Sequence, residues 1–184
     1  MIEVGCWAHA RRKFVEAQKT SPREAHEAVA RIKQLYAIEH EAKEFDAAAR
    51  MSLRQEKSTP LLSSLKVWLD QLAVTARPKS PLGEAVTYAR NQWSALNVYV
   101  IDGGLTIDNN AAERAVKPFA IGRKNWLFFG SDDGGRRLAI LSSFTATCQQ
   151  FGVNPWTWLK DTLTRLPNTP TDQLAMPLPQ QPAK

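Results

Sequence analysis

A mainly α-helical fold with a small β component is predicted for this chain, on three observations. Ser or Thr stands before Pro at Ser21-Pro22, Thr59-Pro60 and Ser80-Pro81, which sets a capping oxygen beside a residue whose missing N–H costs nothing at the first helical position. Apolar residues recur at helical spacing behind each of these starts. Strand-like vocabulary is concentrated in one short aromatic run, Asn125 to Phe129, between Gly122 and Gly130.

Taken in order, Cys6 to Phe14 reads as a short strand end running into a helix. Ser21-Pro22-Arg23-Glu24 has capping-box spacing, and Val29, Ile32, Leu35 and Tyr36 follow on one face of a helix expected to reach about Phe45. Thr59-Pro60 opens a second helix, with Leu61, Leu65, Trp68 and Leu72 inward and a stop near Arg77 imposed by Pro78 and Pro81. Ser80-Pro81 opens a third, turning Ala89, Trp93, Leu96 and Val100 toward the core. Asp102-Gly103-Gly104 is a turn signal. Leu105 to Ile107 is then a short extended piece leading into an Asp108-Asn109-Asn110 cap and a helix through about Val116. Asp132-Asp133-Gly134-Gly135 reads as a further turn, after which Leu141, Phe144, Cys148 and Phe151 make a helical face closed by Gly152. Asn154-Pro155 starts the last helix, with Trp156, Leu159, Leu163 and Leu166 inward and Pro167 as its stop. Beyond Pro167 the repeated prolines and lost periodicity predict a disordered tail.

A chain of 184 residues can bury a real core. Its net charge of +6 and isoelectric point near 9.5 favour nucleic acid over an acidic small molecule as partner. Two cysteines make no disulfide framework, and without a signal peptide or long apolar run the expected compartment is the reducing cytoplasm, with no membrane partner. The six tryptophans each lie in a periodic segment and read as core anchors. No Ser-His-Asp arrangement, phosphate loop or dinucleotide fingerprint is present. Tyr36, Tyr88 and Tyr99 occupy helical core positions, which makes them poor candidates for a recombinase nucleophile.

Three constellations carry chemistry. In Cys6-Trp7-Ala8-His9-Ala10-Arg11-Arg12-Lys13-Phe14 three adjacent cations fan around a helix at about 100° each, so they can straddle a phosphate backbone or form a solvated face. Cys6-x-x-His9 has metal-like spacing, but a structural zinc site takes about four ligands and His26 and His40 lie on the helical array, so zinc is not expected. In the second, Asp108-Asn109-Asn110-Ala111-Ala112-Glu113-Arg114, Asn110 and Glu113 have the spacing of a capping box. The same residues also offer the carboxylate and amide oxygens that hard divalent cations prefer. The third sets Lys117, Arg123, Lys124, Arg136 and Arg137 among Phe119, Trp126, Phe128 and Phe129, a recipe for neutralising phosphates and stacking on unpaired bases, or for a buried strand rimmed by cations.

These blocks, in this order, resemble the C-terminal half of transposases of the insertion sequence 66 family: residues 6 to 14, Asp-Asn-Asn-Ala-Ala-Glu-Arg-Ala at 108 to 115, Gly-Arg-Lys-Asn-Trp-Leu-Phe at 122 to 128, Gly-Ser-Asp-Asp-Gly-Gly at 130 to 135, and the stretch from Gly152 to Pro167. The resemblance implies a ribonuclease H-like α/β nuclease in which an Asp, Asp, Glu triad holds two Mg²⁺ ions for phosphoryl transfer. Glu113 matches the triad glutamate and is the implied catalytic and metal-binding residue. His9, Cys6, Asp108, Asn109 and Asn110 are expected near the active site, and Arg11, Arg12, Lys13, Arg114, Lys117, Arg123, Lys124, Arg136 and Arg137 on DNA. The implied layout is an incomplete ribonuclease H-like core from residues 1–20 and 101–151, a helical insertion over 21–100, a C-terminal helical element over 152–167 and a disordered tail over 168–184. The family's two aspartates lie upstream of the Cys-Trp-Ala-His block, where this chain has only Met1 to Gly5. The expectation is therefore a C-terminal fragment of a DDE-type transposase that carries the triad glutamate and is not competent alone. Mg²⁺ is the cofactor implied for the complete triad. The implied partners are the DNA of insertion element ends and a full-length transposase or other transposition proteins. The alternative is a non-catalytic DNA-binding or regulatory partner of a full-length transposase.

Overall fold

Start signals in the sequence place most of the helices, and the departures from them have local physical causes. The structure, a computed structural model, describes residues 2–126 (backbone only at Trp126), 128–173 and 179. α1 (Trp7–Glu16) leads through a 3-10 turn, Ala17–Lys19, into α2 (Pro22–Glu41). Pro22 takes the first helical position as expected, but the Ser21 hydroxyl makes no cap bond, so the Ser21/Glu24 capping box does not form. α2 stops at Glu41, short of the expected Phe45. The cause is Asp46, whose extended backbone lets its Oδ1 accept the Ala49 N–H at 2.8 Å and start α3 (Ala47–Leu53), so the chain must leave the helix before it.

A helix begins at Thr59 with Pro60 in its first turn, as expected, but no side-chain cap marks its start. α3 passes through a π-helical turn, Arg54–Ser58, directly into α4 (Thr59–Thr75), and Thr59 itself has helical φ/ψ of −58° and −47°. The wider turn, closed by the Thr59 N–H on the Arg54 carbonyl, falls immediately before Pro60, where the ladder must do without an N–H. α4 buries Leu62, Leu65, Leu69 and Leu72, while Leu61 and Trp68 flank that row. Ser80 behaves as expected: its Oγ accepts the Gly83 N–H at 3.1 Å and caps α5 (Pro81–Asn91). The chain breaks at Gln92, then forms α6 (Trp93–Asn97) and a 3-10 turn, Val98–Val100. α1 packs on α2 and α5, and α4 on the same two. The shared core includes Trp7, Phe14, Ile32, Leu35, Leu69, Val86, Leu96 and Tyr99.

The chain divides into two compact units, Met1–Glu113 and Arg114–Lys184. α7 (Asn110–Trp126) runs through Pro118 and Gly122, well past the expected end at Val116. Pro removes one ladder bond at a cost of about 3 kcal/mol, and the Ala, Lys and Arg residues around it favour helix enough for the chain to continue. Asn125 and Trp126 thus close a helix instead of opening a strand, Phe128 and Phe129 have no regular structure, and Leu127 lies outside the described residues. Leu105 to Ile107 is not a strand either. No strand occurs among the described residues, so the protein is mainly helical.

In the second unit Asp132-Asp133-Gly134-Gly135 is the first turn of α8 (Asp132–Gln150), not a free turn. Ser131 Oγ accepts the Gly134 N–H at 3.1 Å, and two acids sit at the positive end of the helix dipole. Gly152, at φ +67°, ends the segment as expected of a left-handed C-terminal cap. Asn154 Oδ1 accepts the N–H groups of Trp156 and Thr157 at 3.0 and 3.2 Å and caps α9 (Pro155–Arg165), after which Pro167 falls in a 3-10 turn, Leu166–Asn168. Trp156, Leu163 and Leu166 are exposed instead of inward, as is Leu141 on α8. Helical periodicity marks a face without saying whether anything covers it. Trp156 therefore does not anchor a core, in contrast to Trp7, which is fully buried. Of the expected disordered tail, residues 174–178 and 180–184 lie outside those described; a 3-10 turn, Thr171–Gln173, precedes them.

Candidate active site

Three groups dock the start of α1. The Gly5 N–H donates to the Ala95 carbonyl at 2.8 Å, Trp7 Nε1 to the Leu96 carbonyl at 2.9 Å, and the Trp7 N–H to the Ile107 carbonyl at 3.2 Å. The last of these satisfies an N–H that a helix start leaves without an intrahelical partner. Gly5 is required by close approach: a Cβ there would meet the Leu96 nitrogen at 2.7 Å. The Trp7 ring stands edge-on to Trp93, with centroids 6.0 Å apart. These contacts seat the first turn of α1 against residues 95–107, so that His9 meets the segment just beyond Ile107.

That segment opens α7. Asp108 Oδ1 accepts the Asn110 N–H at 3.1 Å, and its Oδ2 accepts the Asn110 side-chain amide at 2.8 Å and the Tyr36 hydroxyl at 3.0 Å. The Asn109 carbonyl takes the first helical bond, from the Glu113 N–H at 3.0 Å. Asp108, not Glu113, is therefore the capping carboxylate, and the Asn110/Glu113 capping box does not form. Glu113 is left free to point elsewhere: its Oε1 lies 3.0 Å from His9 Nε2. Both side chains are over a third exposed, at 35% and 43%, and such pairs contribute at most about 1 kcal/mol to stability. The pair is not what holds the fold.

Tyr36 was the residue missed as a member of this cluster, because its helical spacing marks it only as core. Burial first, and then the hydrogen bond to and charge of Asp108, push its hydroxyl far above the ordinary tyrosine range, with Arg11 opposing weakly. Cys6 is buried at the end of the extended segment that precedes α1. Arg11 and Arg12 are exposed and enter no ion pair among the described residues, whereas Lys13 turns the other way, its Nζ 5.1 Å from the centroid of the Tyr88 ring on α5. Arg114, Lys117, Arg123 and Lys124 on α7, and Arg136 and Arg137 on α8, are all exposed. Phe128 and Phe129, at 82% and 60% exposure, stand open to solvent in the same unit as these cations. Among the described residues no three His, Cys, Asp or Glu side chains gather closely enough to hold a metal ion.

Comparison with known proteins agrees with the blocks that meet here. Residues 1–137 match the Transposase IS66 family, and residues 143–179 match the IS66 C-terminal element. The chain is similar to the uncharacterized protein y4qI of Sinorhizobium fredii (strain NBRC 101917 / NGR234), at 41% identity over 88% of this chain and 30% of that protein. It is similar also to y4hP of the same organism, at 35% identity over 95% of this chain and 34% of that protein, and to y4jD, at 37% over 95% and 35%. The chain thus spans about a third of the length of these curated relatives. No solved structure matches it. Since the family match takes in both the His9 block and the Glu113 block and covers most of the sequence, the chain belongs to the Transposase IS66 family.

Proposed function

We propose that this chain supplies part of the active site of a DNA transposase. Glu113 is one carboxylate of a metal-holding Asp, Asp, Glu set on a ribonuclease H-like core, with His9 beside it and Cys6, Asp108, Asn109 and Asn110 around it. Arg11, Arg12, Lys13, Arg114, Lys117, Arg123, Lys124, Arg136 and Arg137 are the contacts to the DNA of insertion element ends, and Phe128 and Phe129 are rings for stacking on unpaired bases. The observation that carries this reading is the 3.0 Å approach of His9 to Glu113, which joins two blocks that are far apart in sequence and released from any capping duty. Membership of the family supports it.

The residues present do not fit Mg²⁺ by themselves. That ion takes near-octahedral oxygen ligation, and here Glu113 is paired with an imidazole while Asp108 already receives three hydrogen bonds. The other carboxylates of the set would have to be supplied by another polypeptide segment. The same observation favours the second reading, a non-catalytic DNA-binding or regulatory partner of a full-length transposase. Incubated with element-end DNA and Mg²⁺, the purified chain is expected to join and cleave nothing. Joining that disappears in Glu113→Gln would overturn the incomplete-site reading. Addition of the chain to a full-length transposase separates the two roles: a gain in strand transfer lost in Glu113→Gln supports the carboxylate role. A gain indifferent to that change but lost in Arg123→Ala/Lys124→Ala supports the regulatory one.

A further inference from the structure

Between α1 and α2, on the side away from Lys13 and Tyr88, lies an open cleft of about 530 Å³. That volume falls within the range of about 300–1,000 Å³ usual for ligand sites. Val15 and Val29 give it apolar walls, and Arg11, Arg12 and Lys33 line it with three cations. No acid lines it. At one end is Asn110, one turn before Glu113, so the cleft adjoins the His9–Glu113 pair.

The charges in this cleft are not the neutralised charges of an ordinary helix surface. Three acids of α2 are spent on other cations, Glu27 on Arg31, Glu39 on Arg54 and Glu41 on Lys57. Neither Lys33 nor Arg11 has an acid three or four residues away on its own helix, and Glu16, four residues beyond Arg12, makes no ion pair with it. Arg11, Arg12 and Lys33 enter none of the ion pairs formed among the described residues. Like charges gathered without counter-charges repel one another, and apolar walls sharpen the field between them. A polyanion entering the cleft relieves that repulsion and releases its own counterions.

We propose that the α1–α2 cleft is a phosphodiester-binding groove in which Lys33 completes a clamp with Arg11 and Arg12 and leads one DNA backbone toward Glu113. This deepens the transposase reading and rests on it. Lys33 thereby joins the DNA-contacting set, and the helical segment 21–100 takes part in substrate binding as well as in packing. Asn110, held by Asp108, marks where the backbone passes from the clamp to the carboxylate.

The test is the salt dependence of affinity for a labelled DNA duplex, read with wild type and variants that keep the wild-type urea midpoint. Lys33→Ala is expected to lower the magnitude of the log affinity against log salt slope by about 1, and Arg11→Ala/Arg12→Ala/Lys33→Ala by about 2–3. Lys33→Arg should retain the slope. Lys43→Ala, which removes a cation already beside Glu44, should leave it unchanged. A slope unmoved by Lys33→Ala and by Arg11→Ala/Arg12→Ala, but reduced by Arg123→Ala/Lys124→Ala, overturns the groove while leaving the DNA-handling reading intact. Absence of any affinity at low salt overturns both.

Discussion

Glu113 shows how one residue type at one spacing is compatible with two purposes, and how geometry can rule out one of them. Asn-x-x-Glu fits a capping box as well as an active-site carboxylate, because both need an acid near a helix start. Asp108 settles the cap by accepting from Asn110 and Tyr36, which leaves the Glu113 carboxylate to His9. Tyr36 is then the positioning residue that ties α2 to the start of α7. Tyr36→Phe should lower stability by about 1–2 kcal/mol, since it leaves a partly buried carboxylate short of a donor. The effect should appear as a reduced urea midpoint with an unchanged m value. Its pH dependence follows from the direction of the Tyr36 shift. The folded hydroxyl holds its proton far above the ordinary 10.0, so the unfolded chain releases a proton first. The associated stability is complete below about pH 10 and falls as pH rises above it. Between pH 8 and pH 11 wild type should therefore lose more stability than Tyr36→Phe. Equal losses would show that burial and the bond to Asp108 do not hold the Tyr36 proton in solution.

Among the elements, the π turn before Pro60 presents the most consequential side chain that sequence reasoning did not single out. Arg54 is 1% exposed, with its guanidinium bidentate on Glu39 at 2.8 and 2.6 Å. Its remaining N–H groups donate to the carbonyls of Tyr99, Asp102 and Leu105 at 2.7, 3.0 and 2.9 Å. One side chain thus satisfies the backbone of the turn that leads to Asp108. Arg54→Met should cost about 3–5 kcal/mol, because it leaves Glu39 charged, largely buried and without a partner, along with three carbonyls. Arg54→Met/Glu39→Met should recover part of that loss in urea unfolding, and a double variant no better than the single would point to the carbonyls as the dominant cost. A lone Arg in the run Leu53-Arg54-Gln55 carries no sequence sign of burial, since its partners arrive from residues 39 and 99–105.

Across the whole chain the two compact units differ in how they are stabilised. The first holds the continuous core from Trp7 to Ile107. Between Arg114 and Gln173, by contrast, Cys148 is the buried hydrophobic side chain among the described residues, while Val116, Ile121, Ile140, Leu141, Trp156 and Leu163 are more than half exposed. Burial is the main source of helix stability in proteins, so α8 and α9 should open at lower free energy than α1, α2, α4 and α5. Native-state hydrogen exchange should give clearly lower protection in α8 and α9, and ANS fluorescence should fall in Ile140→Lys/Leu163→Lys. Uniform protection along the chain would mean that the exposed faces are covered in solution.

The sequence by itself determined the helical class, the caps at Ser80 and Asn154, the Gly152 stop and the family, because caps, prolines and contiguous blocks are local signals read without knowing what packs on them. The strand expected at Asn125 to Phe129, the end of α7 and the inward face of α9 were set by continuity and covering, which local spacing does not encode. Tertiary structure alone brought His9 to Glu113, gave the cap to Asp108, buried Arg54 and set Lys33 beside Arg11 and Arg12. The physical reason is common to all four: each depends on the distance between side chains from separate helices, which is fixed only when Trp7 and its neighbours pack into one core.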